Sequence, residues 1–254
     1  MSITAHFVIK NEEIWIWYAI MAIIDHVDKV LVLDTGSTDH TVEIVKSIKS
    51  DKIELVEPKK CEGMDFYDSF TEWKNQLVNM TKTTWWICID ADEIYSTSGF
   101  KIMKDLLPAI PIEYTTLASK MKFFVEHLHR VSSEEVTWRY AFVRTGEHRW
   151  ILGYGDEILV PRPAPAQRLS HWYNHEGWEF DCFHTTFLQR TYLEKDDTYQ
   201  RAHRKIRCET GKLYKGMYGY EGHYPEVFYR KDVPLIVVNP YIEQIHKTKE
   251  EFGM

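Results

Sequence analysis

Trp85-Trp86-Ile87-Cys88-Ile89-Asp90-Ala91-Asp92-Glu93 joins an uninterrupted apolar run to three carboxylates. The run is short and β-prone, which predicts a buried strand that fixes whatever stands at its tip. Two aspartates one residue apart at a strand end can reach the same point once the chain leaves the pleat. They offer the hard oxygen ligands that Mg²⁺ or Mn²⁺ prefers. Acidic residues after a strand also suit a helix start or a solvated loop, so the cluster gains meaning only beside a second feature.

That feature is Lys29-Val30-Leu31-Val32-Leu33-Asp34-Thr35-Gly36-Ser37-Thr38-Asp39, a second apolar run that breaks into an aspartate, a glycine and small hydroxyl residues. It predicts strand, tight turn and helix. Val42, Val45 and Ile48 form the expected apolar stripe of the helix, with Asp39 as its N-cap. In open α/β sheets ligands bind outside the carboxyl ends of the strands, so parallel strands ending at Asp34 and at Asp90 to Asp92 would face one crevice.

Thr4 to Ile9 predicts the first strand, and Asn11 after it can cap a helix whose first turn is favoured by Glu12 and Glu13. The helix expected over Ile14 to Ile24 is very apolar but falls well short of the roughly 20 residues a membrane span needs. It reads as a buried packing helix. Ile53 to Glu57 supplies a third short strand, so strand and helix alternate as a parallel sheet requires. Pro108-Ala109-Ile110-Pro111 marks a break, and Pro161 to Pro165 marks a second loop.

Several segments, in order, are similar to family 2 glycosyltransferases of the GT-A fold. His6-Phe7-Val8-Ile9-Lys10-Asn11-Glu12-Glu13 resembles the family's opening strand and Lys-Asn-Glu-Glu signature. Val32 to Thr41 resembles its Val-Asp-Thr-Gly-Ser-Thr-Asp-x-Thr segment. Ser69-Phe70-Thr71-Glu72-Trp73-Lys74-Asn75 is similar to an Asp-Phe-Ser-x-x-Arg-Asn segment, with Lys74 replacing arginine. Lysine keeps the charge but loses the planar fork for bidentate contacts. Further on, Arg139 to Arg144, Gly153-Tyr154-Gly155-Asp156-Glu157 and His184 to Arg190 resemble later family segments in fragments, with Asp156 where relatives carry histidine.

The resemblance implies one GT-A domain over residues 1–254, an α/β fold with a mixed, mostly parallel sheet flanked by helices. About 1–110 would form the nucleotide-sugar donor half and about 111–254 the acceptor half. It implies a hexosyltransferase that inverts configuration and uses Mn²⁺ or Mg²⁺. Asp92 would bind the metal, His184 would complete the site, and Asp90 would meet the ribose or a metal-bound water. Asp34 would accept from a uracil-like base, with Ile9, Asn11, Glu12 and Ala91 lining the same pocket and Lys74 near the base or phosphates. The donor would be a UDP-sugar and the acceptor a hydroxyl of a glycan or related molecule.

The chemistry requires these residue types. Cleaving a sugar–diphosphate bond leaves growing negative charge that must be neutralised, and an inverting transferase needs a base for the acceptor hydroxyl. Asp156 and Glu157, after a Gly-Tyr-Gly turn, are the leading candidates for that base; Glu93, Glu176 and Asp181 are alternatives. The acceptor side is aromatic. Trp172, Trp178 and Tyr218 offer flat faces on which sugar rings stack.

The net charge of −7 disfavours a binder of nucleic-acid backbones. A late basic stretch from Arg190 to Lys212 suits a solvated helix, an anionic acceptor or peripheral contact with a membrane. Cys61, Cys88, Cys182 and Cys208 lack metal-site spacing and read as reduced. The N-terminus enters a strand with no leader pattern, so the expected location is cytoplasmic. Two rivals stay open. A nucleotidyltransferase would normally carry a Gly-rich basic loop after the first strand, where Lys10 to Glu13 is acidic. A catalytically silent nucleotide- or glycan-binding module would bind without turnover.

Overall fold

The computed structural model describes residues 1–112, 115–119, 121–125, 127–132, 139–146, 148–152, 157–161, 172–173, 182–187, 217–219 and 222–246. Within the first part, β1 (Ile3–Ile9), α1 (Ile16–Ile23), β2 (Lys29–Asp34), α2 (Thr41–Ser47), β3 (Ile53–Val56), α3 (Phe66–Met80) and β4 (Trp85–Cys88) alternate as expected. There follow β5 (Glu93–Tyr95), α4 (Thr97–Leu106), β6 (Thr116–Ser119), β7 (Met121–Val125), β8 (His127–Ser132) and β9 (Arg139–Arg144). The last elements are β10 (His148–Leu152), β11 (Glu157–Pro161), β12 (Trp172–Tyr173), β13 (Cys182–Phe187), β14 (Met217–Gly219) and two short 3-10 turns.

The main sheet has seven strands in the order β12-β6-β9-β4-β1-β2-β3. All run the same way except β9, which is antiparallel to both its neighbours. The fold is therefore a mixed, mostly parallel α/β sheet, and the chain beyond Pro111 returns to the same sheet through β6 and β9. A second sheet, β14-β8-β7-β13-β5, stands beside it, and β10 and β11 form a separate antiparallel pair.

Strand alternation sorts β1 between two layers. Ile3, Ala5, Phe7 and Ile9 enter the large core with α1, α2 and α4, where Trp15, Trp17 and Trp85 are essentially buried. Burying a side chain of this size stabilises the fold by about 1.5–3 kcal/mol. On the opposite face Val8, Leu31, Leu33 and Val56 pack under α3 through Leu77, Phe70, Trp73 and Met80. His6 lies on that side, stacked on Trp86 with its Nε2 2.6 Å from Thr81 Oγ1. The Thr81 hydroxyl donates to the Leu77 carbonyl, so it accepts from His6, whose proton is thereby assigned to Nε2. Burial pushes the His6 imidazole down to about 3, a neutral packing group.

Three local expectations change. The first helix begins two residues late, after a turn over Glu13–Trp15, and its cap residue Trp15 makes no side-chain bond. Asn11 does not cap it. Asn11 adopts φ 54°, the left-handed region that asparagine tolerates, and its Oδ1 accepts from the Thr38 N–H at 2.8 Å. In α2 the buried stripe is Thr41, Ile44 and Val45, with Val42 half-buried, because the core lies toward α1. Asp39, one residue before the assigned cap, does accept from the Thr41 N–H at 2.9 Å and from the Thr41 hydroxyl.

Among the described residues no helix is long and apolar enough to cross a membrane. Cys61 is partly exposed and Cys88 and Cys182 are buried; Cys208 and the Arg190–Lys212 stretch lie outside the described residues.

Candidate active site

Parallel register aligns the carboxyl ends of β1, β2 and β4 on one edge of the main sheet: Ile9 pairs with Asp34, and His6 with Cys88. Beyond Ile89 the acidic segment turns back at once. The Glu93 N–H donates to the Asp90 carbonyl at 2.9 Å, and the Asp90 N–H donates to Glu93 Oε2 at 3.0 Å. The chain then enters β5, which pairs antiparallel with β13 and sets His184 directly opposite Glu93. Thr185 fastens this junction, its N–H and hydroxyl both donating to the Asp92 carbonyl, at 2.8 and 3.1 Å.

One ligand atom from each of Asp90, Glu93 and His184 lies within 4.8 Å of the others. His184 Nε2 is 3.5 Å from Asp92 Oδ1 and 3.9 Å from Glu93 Oε1. Asp92 and Glu93 are buried, whereas Asp90 and His184 are partly exposed, so the cluster opens on their side. Three carboxylates this close repel one another unless positive charge joins them. Carboxylate oxygens with one imidazole nitrogen make a donor set that fits a divalent cation. The expected Asp92 and His184 are both here; Glu93, which the sequence reading held only as an alternative base, stands with them.

The β2 tip is a different construction. Asp34 Oδ1 accepts from the Ser37 N–H at 3.1 Å and from the Ser37 hydroxyl at 2.5 Å, while Oδ2 accepts from the Gly36 N–H at 3.2 Å. Gly36 has φ 103°, which a side chain would strain. The Asn11 N–H donates to Ser37 Oγ at 2.9 Å, and the Glu12 N–H donates to Thr41 Oγ1 at 2.8 Å, so the ends of β1 and β2 are stitched together. Ile9, Asn11, Glu12 and Ala91 are all buried at this edge. Behind them Glu13 Oε2 pairs with His40 Nδ1 at 2.9 Å, a bond that raises the His40 pKa.

Lys74 is 6 % exposed on α3, its Nζ 4.6 Å from the Phe70 ring centre and 4.5 Å from that of Trp150. Asn75 clamps β10 to α3, donating to the Trp150 carbonyl and accepting from the Trp150 N–H, both at 2.9 Å. This clamp was not foreseen; only the resemblance at Lys74-Asn75 drew attention to the segment. Of the expected acceptor-side residues, Asp156 and Trp178 lie outside the described residues, as do the alternatives Glu176 and Asp181. Glu157, Trp172 and Tyr218 are placed at β11, β12 and β14 by their backbones alone.

No protein-family model matches the chain. Over 102 residues it is 30% identical to the SPbeta prophage-derived glycosyltransferase SunS of Bacillus subtilis (strain 168), a match covering 37% of this chain and 21% of SunS. The SunS of Bacillus phage SPbeta matches with the same figures. The chain thus spans about a fifth of the length of these curated relatives. Among solved structures, S. aureus TarS 1-349 superposes with a TM-score of 0.43 at 17% identity, covering 57% of this chain and 47% of that one. Glucosyl-3-phosphoglycerate synthase from Mycobacterium tuberculosis, in complex with Mn²⁺ and UDP-glucose, gives 0.37 at 21%, covering 48% and 44%.

Proposed function

We propose that the chain is a family 2 glycosyltransferase of the GT-A fold that moves a sugar from a UDP-sugar, with inversion, to a hydroxyl of a glycan or related acceptor. The observation that carries this reading is the convergence of Asp90, Glu93 and His184 at the carboxyl edge of the sheet, beside the Asp34 turn. The sequence likeness to SunS supports the transferase class.

In this reading Asp90, Glu93 and His184 hold Mn²⁺ or Mg²⁺, with Asp92, 3.5 Å from His184, as a further ligand. When bound, the cation neutralises charge developing on the diphosphate leaving group. Asp34 accepts from the base, and Ile9, Asn11, Glu12 and Ala91 line the nucleotide pocket. Lys74 stands near the base or the phosphates. Asp156 or Glu157 takes the acceptor proton, while Trp172, Trp178 and Tyr218 meet the acceptor. Residues 1–254 form one domain, with the donor half over about 1–110. A cytoplasmic location completes the reading.

The test is release of nucleoside diphosphate from a panel of nucleotide sugars with Mn²⁺ or Mg²⁺. We expect metal-dependent release from a UDP-sugar that disappears in Asp92→Ala. Absence of metal-dependent release from every donor would sink the reading.

A further inference from the structure

Late in the chain, the segment from Tyr224 to Tyr241 returns to the donor side as a strap. Val227, Phe228 and Val237 anchor it in the large core beside α1. Phe228 meets the rings of Trp15 and Tyr18 at 6.3 and 5.7 Å, and Tyr241 stacks on Trp15 at 5.5 Å. The Tyr224 hydroxyl donates to the Leu128 carbonyl of β8 at 3.1 Å. The Glu226 carboxylate accepts from the Thr97 and Ser98 N–H groups at 2.8 and 3.1 Å, at the start of α4, where a helix leaves donors unused.

The buried polar contact of the strap falls behind the proposed nucleotide pocket. Asn239, 8 % exposed, donates through Nδ2 to the Ile14 carbonyl at 3.0 Å, and its Oδ1 accepts from the Tyr241 N–H at 2.9 Å. Ile14 and Trp15 lead out of the turn that holds Asn11, Glu12 and Glu13, and the Trp15 and Ile16 N–H groups both donate to the Glu12 carbonyl. On its other side the β2 tip holds the same turn: Ser37, Thr41 and Asp39 accept from the N–H groups of Asn11, Glu12 and Glu13. The turn is thus gripped from two directions. Asn11 carries it through the left-handed region, a conformation that persists where surrounding contacts over-determine it. Packing alone would ask only for apolar contact, whereas a buried amide aimed at one backbone carbonyl also fixes position.

We propose that Asn239 and Tyr241 are positioning residues, which act through Ile14 and Trp15 to hold the Asn11–Glu13 turn in the shape that receives the nucleotide. That the turn receives a nucleotide rests on the transferase reading; that the strap holds it does not.

The test is amide hydrogen exchange of the full chain, followed by NMR, beside calorimetric binding of UDP. Asn239→Asp keeps the size and the acceptor for Tyr241 but sets a carboxylate against the Ile14 carbonyl. We expect the Asn11, Glu12 and Thr38 amides to exchange about tenfold faster or more, with those of Phe7 and Val32 in the strands unchanged, and UDP to bind about threefold more weakly or worse. Tyr241→Leu, which removes the ring stack and keeps an apolar side chain, should give the same pattern, and it decides the matter if Asn239→Asp does not fold. Unchanged exchange at the three turn amides, equal acceleration throughout β1 and β2, or UDP binding as tight as in the wild type would overturn the positioning role. A wild type that binds no UDP would overturn the nucleotide reading instead, while the exchange comparison still judges the grip of the strap.

Discussion

The tips of β2 and β4 look alike in sequence, each an apolar strand ending in aspartate, yet their carboxylates do opposite work. Asp34 spends its oxygens on its own turn, accepting from Gly36 and from both groups of Ser37. Around Asp90 the carboxylates crowd together instead, with His184 brought to them by a strand from far along the chain. The first arrangement lowers the energy of the free protein. The second gathers carboxylate oxygens and an imidazole nitrogen within 4.8 Å of one another, the donor set of a divalent cation. The difference teaches that an acidic strand tip is read by its hydrogen-bond partners and not by its composition.

The largest expected effect is on turnover. Asp90→Ala, His184→Ala and the near-isosteric Glu93→Gln should each lower metal-dependent nucleoside diphosphate release by roughly a hundredfold or more, the scale of losing electrostatic stabilisation of a leaving group. Full activity in Glu93→Gln would confine the metal site to Asp90, Asp92 and His184. Added Mn²⁺ should raise the melting temperature of the wild type by ligand linkage and leave that of His184→Ala unmoved. An equal rise in both would place Mn²⁺ elsewhere.

At the β2 tip the expected pattern is reversed. Asp34→Ala removes the acceptor of three donors in the turn and should cost about 1–2 kcal/mol in chemical denaturation. Asp34→Asn keeps an acceptor for the turn but loses the charge, so it should recover much of that stability while binding UDP more weakly. Were Asp34→Asn to bind UDP as well as the wild type does, the proposed base contact would be wrong, and the residue would serve the turn alone.

The two tips were also unequally legible. Strands β1, β2 and β4 follow from short apolar runs, and the Asp34 turn follows from Gly36 and Ser37, because every group involved lies within a few residues. Asn11 misled for the same reason: a local rule makes it a helix cap, but its left-handed backbone points its side chain to Thr38 of the neighbouring loop. The β4 tip depends on a contact that crosses 93 residues, Asp92 to Thr185, and no periodicity encodes it. His184 was reachable only through the family resemblance. Glu93 was underrated because its place follows from β5, three residues long and invisible as a pattern.

The smallest effect concerns what braces the β2 tip from behind. Glu13 Oε2 accepts from the His40 N–H at 3.3 Å and pairs with His40 Nδ1, and the Glu13 N–H donates to Asp39 at 3.3 Å. The Glu13 bond raises the His40 pKa above its ordinary 6.5. A histidine whose pKa is raised by folding favours the folded state while it is charged in both states, below 6.5, and loses that contribution as pH rises through the higher folded value. His40 is exposed, so water screens the pair and global stability should barely respond. NMR should nevertheless find His40 titrating above 6.5 in the wild type and near it in Glu13→Gln. If the Asp90 tip is indeed the metal site, crossing that pH should shift the Gly36 and Ser37 amide resonances and leave the melting shift caused by Mn²⁺ unaffected by Glu13→Gln. A Mn²⁺ response that changed with Glu13 would mean that the two tips act as one unit.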